Sequence, residues 1–172
     1  MVIFNRCKSG MDLGSYRRSM RALNPALQII FEDEKGDQVA ISEQLPYDIN
    51  ADVIQVDDED YGIWYIDAMD HPEKYDGKTM RFKAMAYTGG RLPKGYFVPG
   101  RMAMTCCADD TAFIGFLCKS AYVDRIKSKQ WLTVTAKAHI EKRAEYSGQE
   151  GLVLQSTNIK SAEKPEEELV YF

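Results

Sequence analysis

Residues 100–118 read GRMAMTCCADDTAFIGFLC, and the fold can be worked out from this stretch. Two apolar, strand-like runs are separated by a pair of adjacent cysteines and a pair of adjacent aspartates. Aspartate favours turns because its side chain can hydrogen-bond the backbone that follows it. The pattern predicts a β-hairpin that turns near Asp109 and Asp110 and brings Cys118 back towards Met102.

Strand patterns continue on both sides of this hairpin. Apolar and polar residues alternate along residues 78–87 and again along residues 131–140, which is typical of strands with one buried face. A helical pattern at residues 121–129 lies between the hairpin and the strand at residues 131–140. Pro99 and Gly100 predict a bend within the strand at residues 96–107. The predicted barrel strands are residues 78–87, 96–107, 111–119, 131–140 and 152–161.

This order predicts a mainly-β protein built on an OB-like five-stranded barrel, with one short helix between strands 3 and 4. The division that follows is an N-terminal extension, residues 1–61, and a barrel domain, residues 62–172. The extension contains a predicted hairpin at residues 28–42, where EKGD supplies the turn. The tail ends on apolar residues, which predicts that it is pinned to the body of the domain.

Acidic residues are concentrated in residues 48–60. A calcium loop needs oxygen ligands at fixed alternating positions around a central glycine, and this run lacks that order. We therefore expect a solvated acidic loop.

The composition limits the function. The chain has 172 residues with 45% hydrophobic and 28% charged residues, as expected for a globular domain with a core. A net charge of −4 argues against a nucleic-acid partner, which would favour a basic stripe. No apolar run is long enough to span a bilayer, so we expect this chain by itself to be soluble.

Three interpretations compete for the cysteines. In the first they are structural, since a free cysteine packs as a small buried hydrophobe. In the second, Cys106, Cys107, Asp109 and Asp110 bind zinc or another thiophilic metal ion, which thiolates and carboxylates suit. Cys118 is a doubtful further ligand.

Neither histidine is predicted to be a metal ligand. His71 precedes a proline and is predicted to be a capping or loop residue, and His139 falls on the polar face of its strand. Nothing in the spacing requires either of them as a ligand.

The third interpretation is redox switching. Adjacent Cα atoms lie about 3.8 Å apart, below the usual disulfide range of roughly 4.4–6.8 Å, so a bridge between Cys106 and Cys107 would be strained and easily reduced. We expect no enzymatic activity, because no Ser-His-Asp or Cys-His signature is recognisable.

From residue 62 onward the chain resembles the YcgQ-like family of uncharacterised bacterial proteins, in the family's C-terminal soluble region. The matching elements are Trp64 with Asp67, residues 72–77, PKGYFVPGRMAMTCCADD (93–110), WLTVTA (131–136) and ELVYF (168–172). Members usually carry two N-terminal membrane spans and are associated with a predicted permease, so the resemblance implies a membrane-associated setting and a permease subunit as partner.

Together these patterns predict a non-enzymatic accessory or binding domain of a permease system, with a metal ion at the Cys-Cys-x-x-Asp element. The alternatives are an OB-type protein interaction module with purely structural cysteines, and a thiol redox protein.

Overall fold

A computed structural model describes residues 45–90, 92–104 and 111–170, together with the backbone of three short strands nearer the N-terminus. The strands are β1 (Phe4–Asn5), β2 (Ile30–Glu32), β3 (Gln38–Ala40), β4 (Val53–Val56), β5 (Thr79–Tyr87), β6 (Tyr96–Met104), β7 (Thr111–Gly115), β8 (Leu117–Lys119), β9 (Trp131–Lys142), β10 (Glu150–Ser161) and β11 (Leu169–Val170). One α-helix, α1 (Tyr61–Asp70), precedes β5.

Five strands close into a barrel. β5 pairs with both β6 and β9, β9 pairs with β10, and β10 pairs in parallel with β8. β7 and β8 lie one after the other along β6, so they act as a single strand, and the ring returns to β5. This closed order is that of an OB-type barrel, which confirms the predicted fold class.

The alternating patterns decide which face of each strand is buried. In β5 the residues Met80, Phe82, Ala84 and Ala86 are all at most 1% exposed, while their neighbours reach solvent. The even-numbered residues of β9 from Leu132 to Ala138 are likewise buried. Successive side chains of a strand point to opposite faces, so the period of two seen in the sequence becomes an apolar barrel interior.

The sequence predicts a short helix or turn region over residues 62–77 and a helix at residues 121–129, and only the first of these forms an α-helix. Between β8 and β9 the chain makes a single 3-10 turn, Val123–Arg125, instead of a helix across residues 121–129. The longer helix is α1, where Trp64 packs its ring 4.8 Å from that of Phe82 and 5.5 Å from that of Phe116. Eight of the ten residues of α1 are buried, and three of them are aromatic, so this helix fills the core in a way that a one-turn segment cannot.

Both ends of the chain contribute strands. β2 and β3 form a two-stranded antiparallel pair, as expected for a hairpin at residues 28–42. β4 adds to the barrel sheet beside β5, and β11 pairs with β6, so the predicted pinning of the tail is confirmed. The division at residue 61 stays a prediction. None of the helices in the described part of the chain is long and apolar enough to cross a membrane.

Candidate functional site

The β6–β7 hairpin carries the predicted metal ligands. Its ladder runs from the pair Gly100–Gly115 to the pair Met104–Thr111, which confirms that the two apolar runs form a β-hairpin. The turn at Asp109 and Asp110 stays a prediction. The six residues that connect Met104 to Thr111 lie outside the described residues. The prediction that Cys106, Cys107, Asp109 and Asp110 are ligands therefore stays a prediction, and what the structure describes is the frame that holds this segment.

Cys118 lies far from that segment. It pairs with Phe97, whereas Met102 pairs with Phe113, so the expected approach of Cys118 to Met102 is wrong. Met104 and Thr111 are paired, and each step away from the connection pairs the next residue on either side. Cys118 lies seven residues after Thr111 and therefore faces Phe97, which lies seven residues before Met104. Its side chain is fully buried, and this burial raises the pKa of the thiol well above its usual range. Cys118 is a packing residue.

The histidines are also apart from the hairpin. The backbone N–H of His71 donates to the carbonyl of Asp67 at the end of α1, as expected of a capping residue, and its ring lies 3.5 Å from Glu73. His139 is on the polar face of β9, opposite Val153. Within residues 45–90, 92–104 and 111–170, no group of three or more histidine, cysteine, aspartate or glutamate residues could hold a metal ion.

A buried arginine anchors the base of the hairpin. Arg101 of β6 is only 1% exposed, in a strand whose alternate positions Phe97 and Ala103 are fully buried. Its Nη1 donates to Asp58 at 2.8 Å, and its Nη2 donates to the carbonyl of Glu167 at 2.6 Å. A buried charge is tolerated when it is paired and hydrogen-bonded, so Arg101 joins the hairpin to the loop after β4 and to the C-terminal tail.

Aromatic rings surround the same guanidinium. Its carbon lies 5.8 Å from the ring centre of Tyr61 and 5.2 Å from that of Trp131, distances at which a cation is attracted to the ring. Burial raises the pKa of Tyr61, so its phenol stays neutral over the physiological range and keeps its donor proton. The arginine therefore sits in a neutral aromatic setting with one carboxylate to balance its charge.

Asp58 corrects the expectation of a wholly solvated acidic loop. It is about one-third exposed and accepts hydrogen bonds from both Arg101 and Lys83, the latter at 2.7 Å. The solvated description fits the exposed residues Asp48, Asp52 and Asp57 better. Residue spacing within the acidic run could not single out Asp58, since its partners lie 25 and 43 residues further along the chain.

A second buried network joins α1 to the loop before β4. Asp67 is 7% exposed and accepts a hydrogen bond of 2.5 Å from Tyr75 and one of 2.9 Å from Lys74. The one hydroxyl proton of Tyr75 is donated to Asp67, so Tyr47 donates to Tyr75 across 2.6 Å. Burial, followed by its hydrogen bonds, raises the pKa of Tyr75 far above its usual range. This network fixes the end of α1 without reaching the hairpin.

Glycine allows the close packing at the base of the hairpin. A Cβ atom on Gly100 would lie 2.3 Å from the carbonyl oxygen of Ile114, and one on Gly115 would lie 2.6 Å from that of Pro99. Side-chain atoms never approach backbone this closely, so both positions require glycine. The bend expected at Pro99 and Gly100 is thus a point of close contact between β6 and β7, where β6 also meets β5.

The sequence patterns did not predict that Arg101 joins three segments of the chain, although its position in β6 indicated burial. Arg101 is an even number of residues from the apolar Phe97 and Ala103, so all three lie on the same face of β6. An arginine therefore occupies a position where the alternation predicts a buried residue. A charged residue at such a position indicates a buried ion pair. Its partners cannot be read from local periodicity.

The ring of strands and the helix that packs into it define an OB-type β-barrel domain. Residues 31–172 match the family model described as the DUF1980 C-terminal domain, so the chain belongs to this family. The match agrees with the resemblance to the YcgQ-like family and begins about thirty residues earlier than the matching motifs did. A search of curated proteins found no match.

Solved structures similar to this chain include the Stn1-Ten1 complex of S. pombe, at 15% identity and a TM-score of 0.35 over 72% of this chain and 86% of the other. The mitochondrial single-stranded DNA binding protein Rim1 of S. cerevisiae matches 50% of this chain and 95% of its own, at 14% identity and a TM-score of 0.29. A putative aspartyl-tRNA synthetase from Leishmania major matches 71% of this chain but 23% of its own, at 14% identity and a TM-score of 0.35.

Proposed function

We propose that this domain is a non-enzymatic binding module and that the connection between β6 and β7 binds a thiophilic metal ion. Cys106 and Cys107 would supply thiolates, and Asp109 and Asp110 would supply carboxylates. The observation that carries the proposal is the pairing of Met104 with Thr111, which holds the two ends of the six-residue connection side by side.

Chain length then limits how far apart the ligands can be. A residue spans at most about 3.6 Å, so Cys106 lies within about 7 Å of Met104 along the chain, and Asp109 within about 7 Å of Thr111. The corresponding limits are about 11 Å for Cys107 from Met104 and about 4 Å for Asp110 from Thr111. These short chain distances support the proposal, because a metal site needs its ligands close together.

The donor set suits zinc. Zinc binds thiolate sulfur and carboxylate oxygen and usually takes four ligands in structural sites. Two thiolates and two carboxylates from one connection supply that number without Cys118 or either histidine. When bound, the ion would supply a charged centre that cross-links the connection, and the protein's role would be to hold the ion, with no chemical step.

The frame of the hairpin favours binding. Arg101 is held by Asp58 and by the carbonyl of Glu167, and Gly100 lies in close contact with Ile114. Ligands carried on rigid elements lose less conformational freedom when they bind an ion, so a fixed base strengthens the site.

A permease subunit is the proposed partner, and membrane association through it the proposed setting. Family resemblance alone supports this part of the proposal. Co-expression of the chain with a permease of the kind associated with the YcgQ-like family, followed by detergent solubilisation and affinity capture, tests it. Recovery of the permease with the wild-type chain but not with an unrelated OB-type domain is expected, and equal recovery with both would contradict it.

The metal proposal is tested by elemental analysis of protein purified under reducing conditions without a histidine tag. We expect about one zinc per chain after incubation with zinc and desalting, and none in a Cys106→Ser/Cys107→Ser variant. Cys118→Ser is the matched control, because its thiol is buried on β8, and it should keep the metal. No metal in the wild-type protein, or equal metal in the double variant, would contradict the proposal.

The same samples separate the alternatives. A redox protein would lose two thiols on mild oxidation and regain them with a reductant, with no metal at any stage. An interaction module with structural cysteines would bind no metal and would keep its thiol count under the same oxidation.

A further inference from the structure

A groove lies beside the turn between β8 and β9. It has a volume of about 450 Å³, within the range of small-molecule sites. Its floor is apolar, built from Ile126, Leu132 and Ile159. These side chains pack against or belong to the main core, so the floor is firmly held.

One wall of the groove carries an exposed aromatic ring beside a cation. Tyr122 is 56% exposed, one of two large hydrophobic residues in the described ranges that are so open to water. The guanidinium carbon of Arg125 lies 5.9 Å from the centre of this ring. The opposite wall presents the polar side chains of Thr157 and Asn158 on β10.

The segment that supplies Arg125 to the groove is positively charged, in contrast to the net negative charge of the chain. Arg125, Lys127 and Lys129 are exposed in the segment 121–130, which contains one acid, Asp124. That segment therefore carries a formal charge of +2. None of the residues described as lining the groove is acidic.

Two backbone irregularities border the groove. β10 has a bulge between Ser156 and Asn158, which leaves Thr157 as an extra residue against β9. Lys129 adopts a left-handed conformation, with φ of 67°, and its N–H donates to the carbonyl of Ala86 at 2.7 Å. Bulges and left-handed residues that are not glycine concentrate beside binding sites because they re-aim neighbouring side chains.

We propose that this groove binds an organic anion that combines an aromatic ring with a phosphate or carboxylate group. The ring would lie against Tyr122 over the apolar floor, and the anionic group would pair with the Arg125 guanidinium. The Asn158 amide would offer hydrogen bonds to polar atoms of the ligand. The Thr157 hydroxyl donates to the carbonyl of Thr135 at 3.1 Å and would accept one. Charge complementarity and the exposed aromatic ring together select this class over neutral or cationic compounds.

This proposal does not depend on the metal proposal. The groove uses residues of the segment 121–130, of β9 and of β10, whereas the proposed metal ligands are Cys106, Cys107, Asp109 and Asp110. A Cys106→Ser/Cys107→Ser variant should keep the groove intact, so failure of either proposal leaves the other standing.

NMR titration of the full chain tests the groove, with amide shifts followed residue by residue. Adenosine 5′-monophosphate supplies ring and phosphate, ribose 5-phosphate the phosphate alone, adenosine the ring alone, and benzoate a ring with a carboxylate. We expect a ring-bearing anion to bind with a dissociation constant of about 1 mM or below. Shifts should centre on residues 122–130 and 157–161, and the two partial compounds should bind at least about fivefold more weakly.

Two variants separate the ring from the charge. Tyr122→Ala should weaken ring-bearing anions about 3- to 10-fold while Tyr122→Phe retains them, and Arg125→Gln should reduce phosphate or carboxylate binding by a similar factor. Both side chains are exposed, so the fold should persist. Arg81→Gln, a change on the exposed face of β5, is the control and should have no effect. Binding of AMP but not benzoate, or the reverse, would identify the anionic group.

Two results would overturn the proposal. One is the absence of localised shifts with every ring-bearing anion. The other is a set of shifts spread over all exposed lysines and arginines and unchanged by the Tyr122 and Arg125 variants, which would indicate non-specific charge attraction.

Discussion

The guanidinium of Arg101 lies 2.8 Å from the carboxylate of Asp58, although 43 residues separate them in sequence. The arginine is almost fully buried and also donates to the carbonyl of Glu167, so one side chain joins β6, the loop after β4 and the tail. This contact fixes the base of the hairpin that carries the predicted metal ligands.

Asp58→Asn should therefore destabilise the domain. The substitution leaves the Arg101 charge buried without a counter-charge, which costs about 3–5 kcal/mol in a fully buried pair. Asp58 is about one-third exposed, and water screens part of the interaction, so we expect a loss of about 2 kcal/mol in the free energy of unfolding. Urea unfolding at neutral pH measures it.

Lys83→Met is the control for that measurement. Lys83 also pairs with Asp58, but its side chain is about one-third exposed, and such pairs contribute about 0–1 kcal/mol. A loss in Lys83→Met as large as that in Asp58→Asn would show that the Arg101 contact has no special weight.

Gly100→Ala should distort the junction of β5, β6 and β7. Its added methyl group would overlap the Ile114 carbonyl oxygen and the ring of Phe113. Overpacking typically costs about 1–3 kcal/mol, and backbone overlap places this substitution at or above the upper end of that range. Gly89→Ala is the control, because its methyl group would meet only the Tyr87 side chain, at 3.3 Å. Thermal unfolding of the two variants should differ clearly, and equal midpoints would contradict the argument.

Buried tyrosines predict a loss of stability in alkali. Burial raises the pKa of Tyr47, Tyr61, Tyr75 and Tyr146 above the unfolded value of about 10. A raised pKa means that the folded state holds its proton more tightly, so this stability is fully present below pH 10 and is lost as the pH rises. Each tyrosine should lower the free energy of unfolding by about 1.4 kcal/mol per pH unit above that value.

Tyrosinate absorbance measures this effect. The four phenols should ionise together with a cooperative loss of circular dichroism, and Tyr61→Phe should reduce the pH slope by one proton. Gradual ionisation of all tyrosines without unfolding would refute the prediction.

Cys118 should be unreactive in the native protein. Its thiol is fully buried, and burial raises its pKa, so little thiolate forms at neutral pH. Titration with a disulfide reagent should give the same native count for the wild-type chain and for Cys118→Ala. After denaturation the reagent should count four thiols in the wild-type chain and three in the variant. A lower native count in Cys118→Ala would place this thiol at the surface.

Several features of the fold were predictable from local sequence. The alternation of Met80, Phe82, Ala84 and Ala86 identified β5 and its buried face, because a strand repeats every two residues. The two apolar runs on either side of the cysteines and aspartates predicted the β6–β7 hairpin, and the apolar end of the tail indicated that it is attached. Each of these signals lies within a dozen residues, a range over which backbone geometry governs the pattern.

The tertiary structure alone decided the contacts between distant segments. The pairing of Arg101 with Asp58, the position of Cys118 opposite Phe97 and the groove beside Tyr122 all depend on strand register and barrel closure. Register is set by the packing of whole faces and by close approaches such as Gly100 to Ile114, which residue spacing does not record. The sequence by itself therefore identified the candidate ligands. Long-range packing determined the β6–β7 ladder and the Arg101 contacts at its base.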